Sequence, residues 1–181
     1  MRVPRYVAFL RAINVGGHTV AMTALRKHFE EAGCSDVETV IASGNVLFVS
    51  ASRSAAVLEK RIAAHLEGRL GYAVATFLRT PQELASIAAH RPFARSDAER
   101  RGHSLFVAFH GRAADSASRR RVLGLASDLD DLRIRGREIY WLCRGRSSDS
   151  KIYGGGLEKA LGQPATLRNA TTVRKIAEIL A

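Results

Sequence analysis

Cysteine is scarce in this chain. Cys34 and Cys143 are its two thiols, far apart and in no CxxC pair, so neither a disulfide framework nor a cysteine-based zinc site is indicated. Both are expected to be reduced and half-buried. Long apolar runs are also missing: no stretch approaches the roughly 18 uninterrupted apolar residues of a membrane span. The opening MRVPRYVAFLRAINV has neither the apolar centre nor the small-residue cleavage site of a signal peptide. The expected location is the cytoplasm, with no membrane partner. Acidic residues are outnumbered 17 to 28, for a net charge of +11 and a pI near 10.6. With 46% hydrophobic residues in 181, the chain can bury a core as one domain or two small ones, and disorder is excluded.

The charge excess points first to polyanions, which bind basic surfaces by counterion release and steering. Residues 91–181 carry +8 of it and residues 1–90 only +3. Arginine supplies most of the charge, and a GC-rich coding bias accounts for that composition equally well.

Hydrophobic periodicity sets a repeated order of elements. A first strand is predicted over Arg5–Arg11, and a helix over about 22–32 with Met22, Leu25 and Phe29 on one face and Gly33 as its stop. VETVIASGNVLFVS reads as two strands joined at Ser43, Gly44 and Asn45. A helix over about 53–67 and a strand over 72–78 complete a β-α-β-β-α-β unit. Thr80-Pro81-Gln82-Glu83 is a capping box opening a connecting helix that ends near His90. The order resumes with a strand at 103–110, a helix at about 115–127 and strands at 132–135 and 138–143. Helices at about 157–161 and 171–180 follow, with no clear last strand. The fold class is therefore α+β, as two ferredoxin-like (βαββαβ-type) subdomains related by duplication: residues 1–90 with the connecting helix, a charged linker at 91–102, and residues 103–181.

Four polar stretches interrupt this pattern. In RAINVGGH (11–18), Gly16 and Gly17 permit a sharp turn or a close approach to a ligand, while Asn14 and His18 supply hydrogen-bonding side chains. A plain turn explains the same residues. SGN (43–45) is hairpin chemistry, and the sequence does not place Asn45 beside Asn14. RGRSSDSKIYGGG (144–156) holds the ingredients of a phosphate loop, but Lys151 precedes the glycines, the wrong order for a Walker A loop. In TLRNATTVRK, Asn169 or Thr171 caps the last helix, and a helix start beside Arg168 is also where a phosphate or carboxylate binds.

These motifs, with RPF at 91–93, resemble the successive motifs of the bacterial DUF1697 family, from about Arg5 to Leu180. The resemblance implies a duplicated fold of two ferredoxin-like subdomains and no known activity. Its pattern matches Arg11, Asn14, Gly16, Gly17, Ser43, Gly44, Asn45, Phe48, Pro92, Phe93, Ser150, Lys151, Arg168, Asn169, Thr172 and Val173. Departures are Ala12 for a usual Gly, Arg91 for Asn, Leu167 for Thr, and Ala170 and Thr171 for Trp and Asn. Loss of that Trp weakens any stacking platform.

Standard catalytic signatures are missing. The six histidines form no HExxH, GxSxG does not occur, and Asp128, Asp130 and Asp131 read as a solvated turn. No catalytic group, metal ligand set or cofactor is assigned. Two functions of different class remain. One is a basic module for nucleic acid or another phosphate-bearing ligand, with Arg11, Lys151 and Arg168 on phosphates and a ring among Tyr140, Trp141 and Tyr153 for stacking. The RNP1 pattern of RNA-binding sheets does not occur. The other is an enzyme or small-molecule binder whose polar groups grip an anionic substrate. The candidate ligand residues for either are Arg11, Asn14, Gly16, Gly17, His18, Asn45, Ser150, Lys151, Arg168, Asn169 and Thr172. Homodimerisation through an open sheet is a third reading.

Overall fold

The apolar run after Arg5 becomes strand β1 (Arg5–Leu10), with every residue after Arg5 buried, as in a strand covered on both faces. The computed structural model describes residues 3–41 and 44–181; Ser43 of the predicted hairpin lies outside them. The described residues form a mixed α+β fold with two four-stranded antiparallel sheets and seven α-helices. The chain divides into two compact units, Met1–Ala85 with Ile176–Ala181, and Ser86–Lys175.

In the first unit, β1 is followed by α1 (Met22–Glu31), β2 (Ser35–Thr39), β3 (Asn45–Val49), α2 (Ala55–Leu70) and β4 (Thr76–Arg79), in sheet order β2-β3-β1-β4. Leu25 and Phe29 of α1 and Leu58, Ile62 and Leu66 of α2 pack with Tyr6, Ala8, Leu10, Val46, Phe48 and Leu78 into one core. Ser54 caps α2 by accepting from Val57 N–H, and Gly71 ends it at φ +78°, a left-handed stop that costs glycine little. The capping box forms in full. Thr80 N–H donates to Glu83 Oε2 at 2.8 Å and Glu83 N–H to Thr80 Oγ1 at 3.2 Å, opening α3 (Pro81–Ala89).

In the second unit, a short α4 (Arg95–Ala98) lies within the predicted linker. Then come β5 (Ser104–His110), α5 (Ser116–Leu123), β6 (Asp130–Arg135), β7 (Glu138–Cys143), α6 (Gly156–Leu161) and β8 (Ala165–Asn169), with sheet order β6-β7-β5-β8, followed by α7 (Ala170–Leu180), which the second unit holds as far as Lys175. The last strand, unseen in the sequence, is ATLRN. It pairs with β5 from Phe106↔Asn169 to His110↔Ala165. Thr166 and Arg168 are buried alongside Ala165, and a buried arginine hides a strand from any reading based on apolar alternation.

Asp130 corrects the acidic-turn reading. It is buried in β6, where Trp141 Nε1–H donates to its Oδ1 at 2.7 Å and the Ser150 and Ser127 hydroxyls donate to its Oδ2 at 2.9 and 3.2 Å. Its carboxylate ties β6, β7 and the 144–156 segment together.

Candidate functional site

The predicted ligand residues fall into separate sets. In the first unit, the loop after β1 carries Arg11, Asn14, Gly16, Gly17 and His18. Asn14 sits at φ +56° and its Oδ1 accepts from Val20 N–H at 2.7 Å, so the side chain staples the loop. Gly16 and Gly17 occupy φ +62° and +86° with open space around them. His18 stacks on Tyr72, ring centroids 3.7 Å apart. Ala12 holds φ +65°, where its Cβ costs about 1–2 kcal/mol that glycine would not incur.

Asn45 joins this loop at one end of the sheet. Leu10 N–H donates to Gly44 O at 2.8 Å, and Phe9 pairs with Asn45, because antiparallel pairing sets the end of β1 beside the start of β3. The buried Asn45 amide donates to Val40 O at 3.1 Å and Ile41 O at 3.0 Å, closing the β2–β3 connection. Its role there is structural.

In the second unit, Ser150 and Arg168 face opposite sides of the sheet. Ser150 bonds to Asp130 on the side of Trp141, Phe106 and Ile139. Arg168 pairs with Val107, itself opposite Tyr140, on the other side. There its guanidinium donates to Thr166 Oγ1 at 2.7 Å and to Leu167 O at 2.9 Å. Burial pushes Arg168 down to about 10, still far above neutral pH, so the group stays charged. A shared cleft for Ser150 and Arg168 is thereby ruled out. Lys151 is exposed and Thr172 half-buried. Asn169 ends β8, and its Oδ1 accepts from Thr171 N–H at 2.9 Å.

The rings expected to stack on bases are buried too: Tyr140 and Trp141 are 1% and 0% exposed, whereas Tyr153 is 56% exposed. Trp141 fills the core beside Phe106, centroids 4.7 Å apart, and Tyr140 meets His90 edge-on at 4.9 Å.

A cavity of about 450 Å³ lies instead where RPF and α4 meet the end of β8 and the start of α7. Arg91, Arg95 and Arg174 line it, with Glu99 the sole acid in its wall, and Phe93, Leu105 and Ala170 form its apolar parts. Arg133 lies over the Phe93 ring at 5.1 Å, a cation–π contact that steadies the ring. Glu99 accepts from Arg95 Nε at 2.8 Å. The Nε of Arg174 is buried with no hydrogen-bond partner. Of the predicted residues in the second unit, Asn169 alone lines this cavity. Arg174 carries a legible signal, one turn after Thr171 on the capped helix; Arg95 sat in what read as linker.

Behind α4, Asp97 accepts from Arg144 NH2 at 2.8 Å and lies 3.1 Å from His103 Nδ1. The Arg144 hydrogen bond, opposed by desolvation and joined by the charges of Arg144 and His103, holds the Asp97 carboxyl below its usual range. A folded value below the unfolded one means the stabilisation is full above about pH 4 and is lost as pH falls through the lowered value. The melting-temperature gap between wild type and Asp97→Asn is therefore expected to close as the buffer is taken from about pH 6 to about pH 3.

The family model of DUF1697, proteins of unknown function, matches residues 3–140. The chain belongs to the DUF1697 family. A conserved bacterial protein from Streptococcus pneumoniae is similar in fold to this DUF1697 protein, with a TM-score of 0.74, 23% identity and 99% of each chain covered. A search of curated proteins found no match. Among the described residues of this DUF1697 chain, no helix is long and apolar enough to cross a membrane.

Proposed function

We propose that the second unit binds a small anionic ligand, phosphorylated or carboxylate-bearing, in the cavity at the start of α7. The observation that carries this reading is the buried Arg174 Nε, a donor with no protein acceptor in a wall that also holds Arg91 and Arg95. A buried donor left unmet costs about 1–3 kcal/mol, and an incoming oxyanion removes that cost. The helix α7 start adds a favourable dipole, and the volume suits a small molecule. Ala170, where resembling sequences carry Trp, leaves the space open. The +8 charge of residues 91–181 supports nucleic acid as a second source of the same phosphate chemistry.

Calorimetric titration of the full chain with pyrophosphate, citrate and AMP, and of a labelled 12-mer single strand across a salt series, tests the proposal. At least one small anion is expected to bind, with Arg174→Ala weakening it about tenfold or more and Lys151→Ala leaving it unchanged. Binding of the oligonucleotide alone, with a steep salt slope, would move the assignment to nucleic acid. Binding of no probe, or equal binding by Arg174→Ala, would overturn it.

We also infer that the chain is two ferredoxin-like units related by duplication, with repeats at 1–90 and 103–181 joined by 91–102. Identical sheet orders support this, as does a helix after each fourth strand, α3 after β4 and α7 after β8. So does a buried arginine at matching positions, Arg79 paired with Val7 and Arg168 with Val107.

A further inference from the structure

On the outer surface of the first unit, His28 and Glu31 lie one turn apart on α1, and His65 faces them from α2. His28 Nδ1 is 3.6 Å and His65 Nε2 is 3.3 Å from the same oxygen, Glu31 Oε2. One ligand atom from each of the three lies within 4.8 Å of the other two. Both of these ring nitrogens are buried, and Glu31 Oε2 is the acceptor that each one faces.

We propose that His28, Glu31 and His65 form a binding site for a divalent transition cation of the zinc class. The spacing carries the argument. Zinc bonds to imidazole nitrogen and carboxylate oxygen are about 2.0–2.2 Å, and a tetrahedral arrangement puts neighbouring ligand atoms about 3.3–3.5 Å apart. The two nitrogen–oxygen separations, 3.6 and 3.3 Å, already bracket that value, and rotation of the imidazoles to close the nitrogen–nitrogen gap, which is within 4.8 Å, is the adjustment a cation requires. Two imidazoles with one carboxylate select zinc-like cations over calcium or magnesium, which prefer all-oxygen cages. The side chains of His28, Glu31 and His65 are 17%, 28% and 23% exposed, and a fourth ligand would have to come from solvent.

Two features of the surroundings shape the site. Arg69 NH2 lies 3.0 Å from Glu31 Oε2, and its half-exposed side chain must turn aside when a cation takes that oxygen. Together with Lys27, it opposes the incoming charge. The site is independent of the cavity in the second unit, and neither reading depends on the other.

The test uses the untagged full chain stripped with chelator. Titration with zinc chloride is expected to show one cation per chain, and cobalt to give the visible bands of a four-coordinate site. His65→Ala and Glu31→Gln are each expected to weaken zinc about 100-fold or more, the loss of one of three ligands. Arg69→Ala, which removes only the competing cation, is expected to tighten it about threefold or more. If His65→Ala fails to fold, the ring nitrogen shifts of His28 and His65 in the wild-type chain decide: both move on zinc addition if the site is real. Binding weaker than about 1 mM, binding unchanged in the two ligand variants, or zinc that moves neither ring would overturn the proposal.

Discussion

Replacing Gly156 with Ala is expected to lower the stability of the second unit by more than about 3 kcal/mol, or to prevent its folding. Gly156 opens α6 with ordinary helical angles, so backbone conformation is not the reason. A Cβ at this position would fall inside the Lys151 carbonyl group. A carbonyl in the main chain cannot swing away as a side chain can, so α6 would have to move, taking the buried Leu157 and Leu161 with it. The neighbouring glycines behave differently: Gly154 and Gly155 hold φ +69° and +103° and have nothing within 4 Å of an added Cβ. Alanine there is expected to cost only about 1–2 kcal/mol. Denaturant unfolding of the three variants should rank Gly156→Ala far below the other two. A Gly156→Ala protein within about 1 kcal/mol of wild type would refute the packing explanation of the triplet.

Asp130→Ala is expected to cost about 3–5 kcal/mol, because it leaves the indole N–H of Trp141 and the Ser150 hydroxyl buried without their acceptor and takes one from the exposed Ser127 as well. Asp130→Asn keeps the shape and one acceptor oxygen, and the serines can turn to accept from the new amide, so about half that loss is expected. Trp141 is the chain's one tryptophan, which makes its fluorescence a direct reporter. Asp130→Ala should shift the emission of the native state to the red as water reaches the indole, and Asp130→Asn should do so less. An unshifted native spectrum together with unchanged stability would show that the carboxylate does not hold this corner.

Both residues were visible in the sequence but pointed elsewhere. Three consecutive glycines after a lysine suggest phosphate, while in the fold two of them satisfy left-handed turns and the third makes room for a carbonyl. An aspartate in a cluster of three suggests a solvated turn, while in the fold it faces the indole of a residue eleven positions away. Residue type reports what a side chain can do. Which partner it meets is set by strand pairing, which local sequence does not encode.

The elements set by local chemistry could be read in advance. The Thr80–Glu83 capping box, the Gly33 stop, the Leu58-Ile62-Leu66 stripe and the β-α-β-β-α order follow from interactions within about four residues of the chain, and the fold keeps all of them. Tertiary structure alone decided the rest. It made ATLRN a strand, because pairing with β5 accommodates a buried arginine that no hydropathy pattern anticipates. It sent Ser150 and Arg168 to opposite faces of one sheet, and it brought Arg91 and Arg174, 83 positions apart in the chain, into the wall of a common cavity. Sequence distance carries no information about such meetings. They arise when sheets and helices close over a core, and the polar groups left at the edges find whichever neighbours that closure supplies.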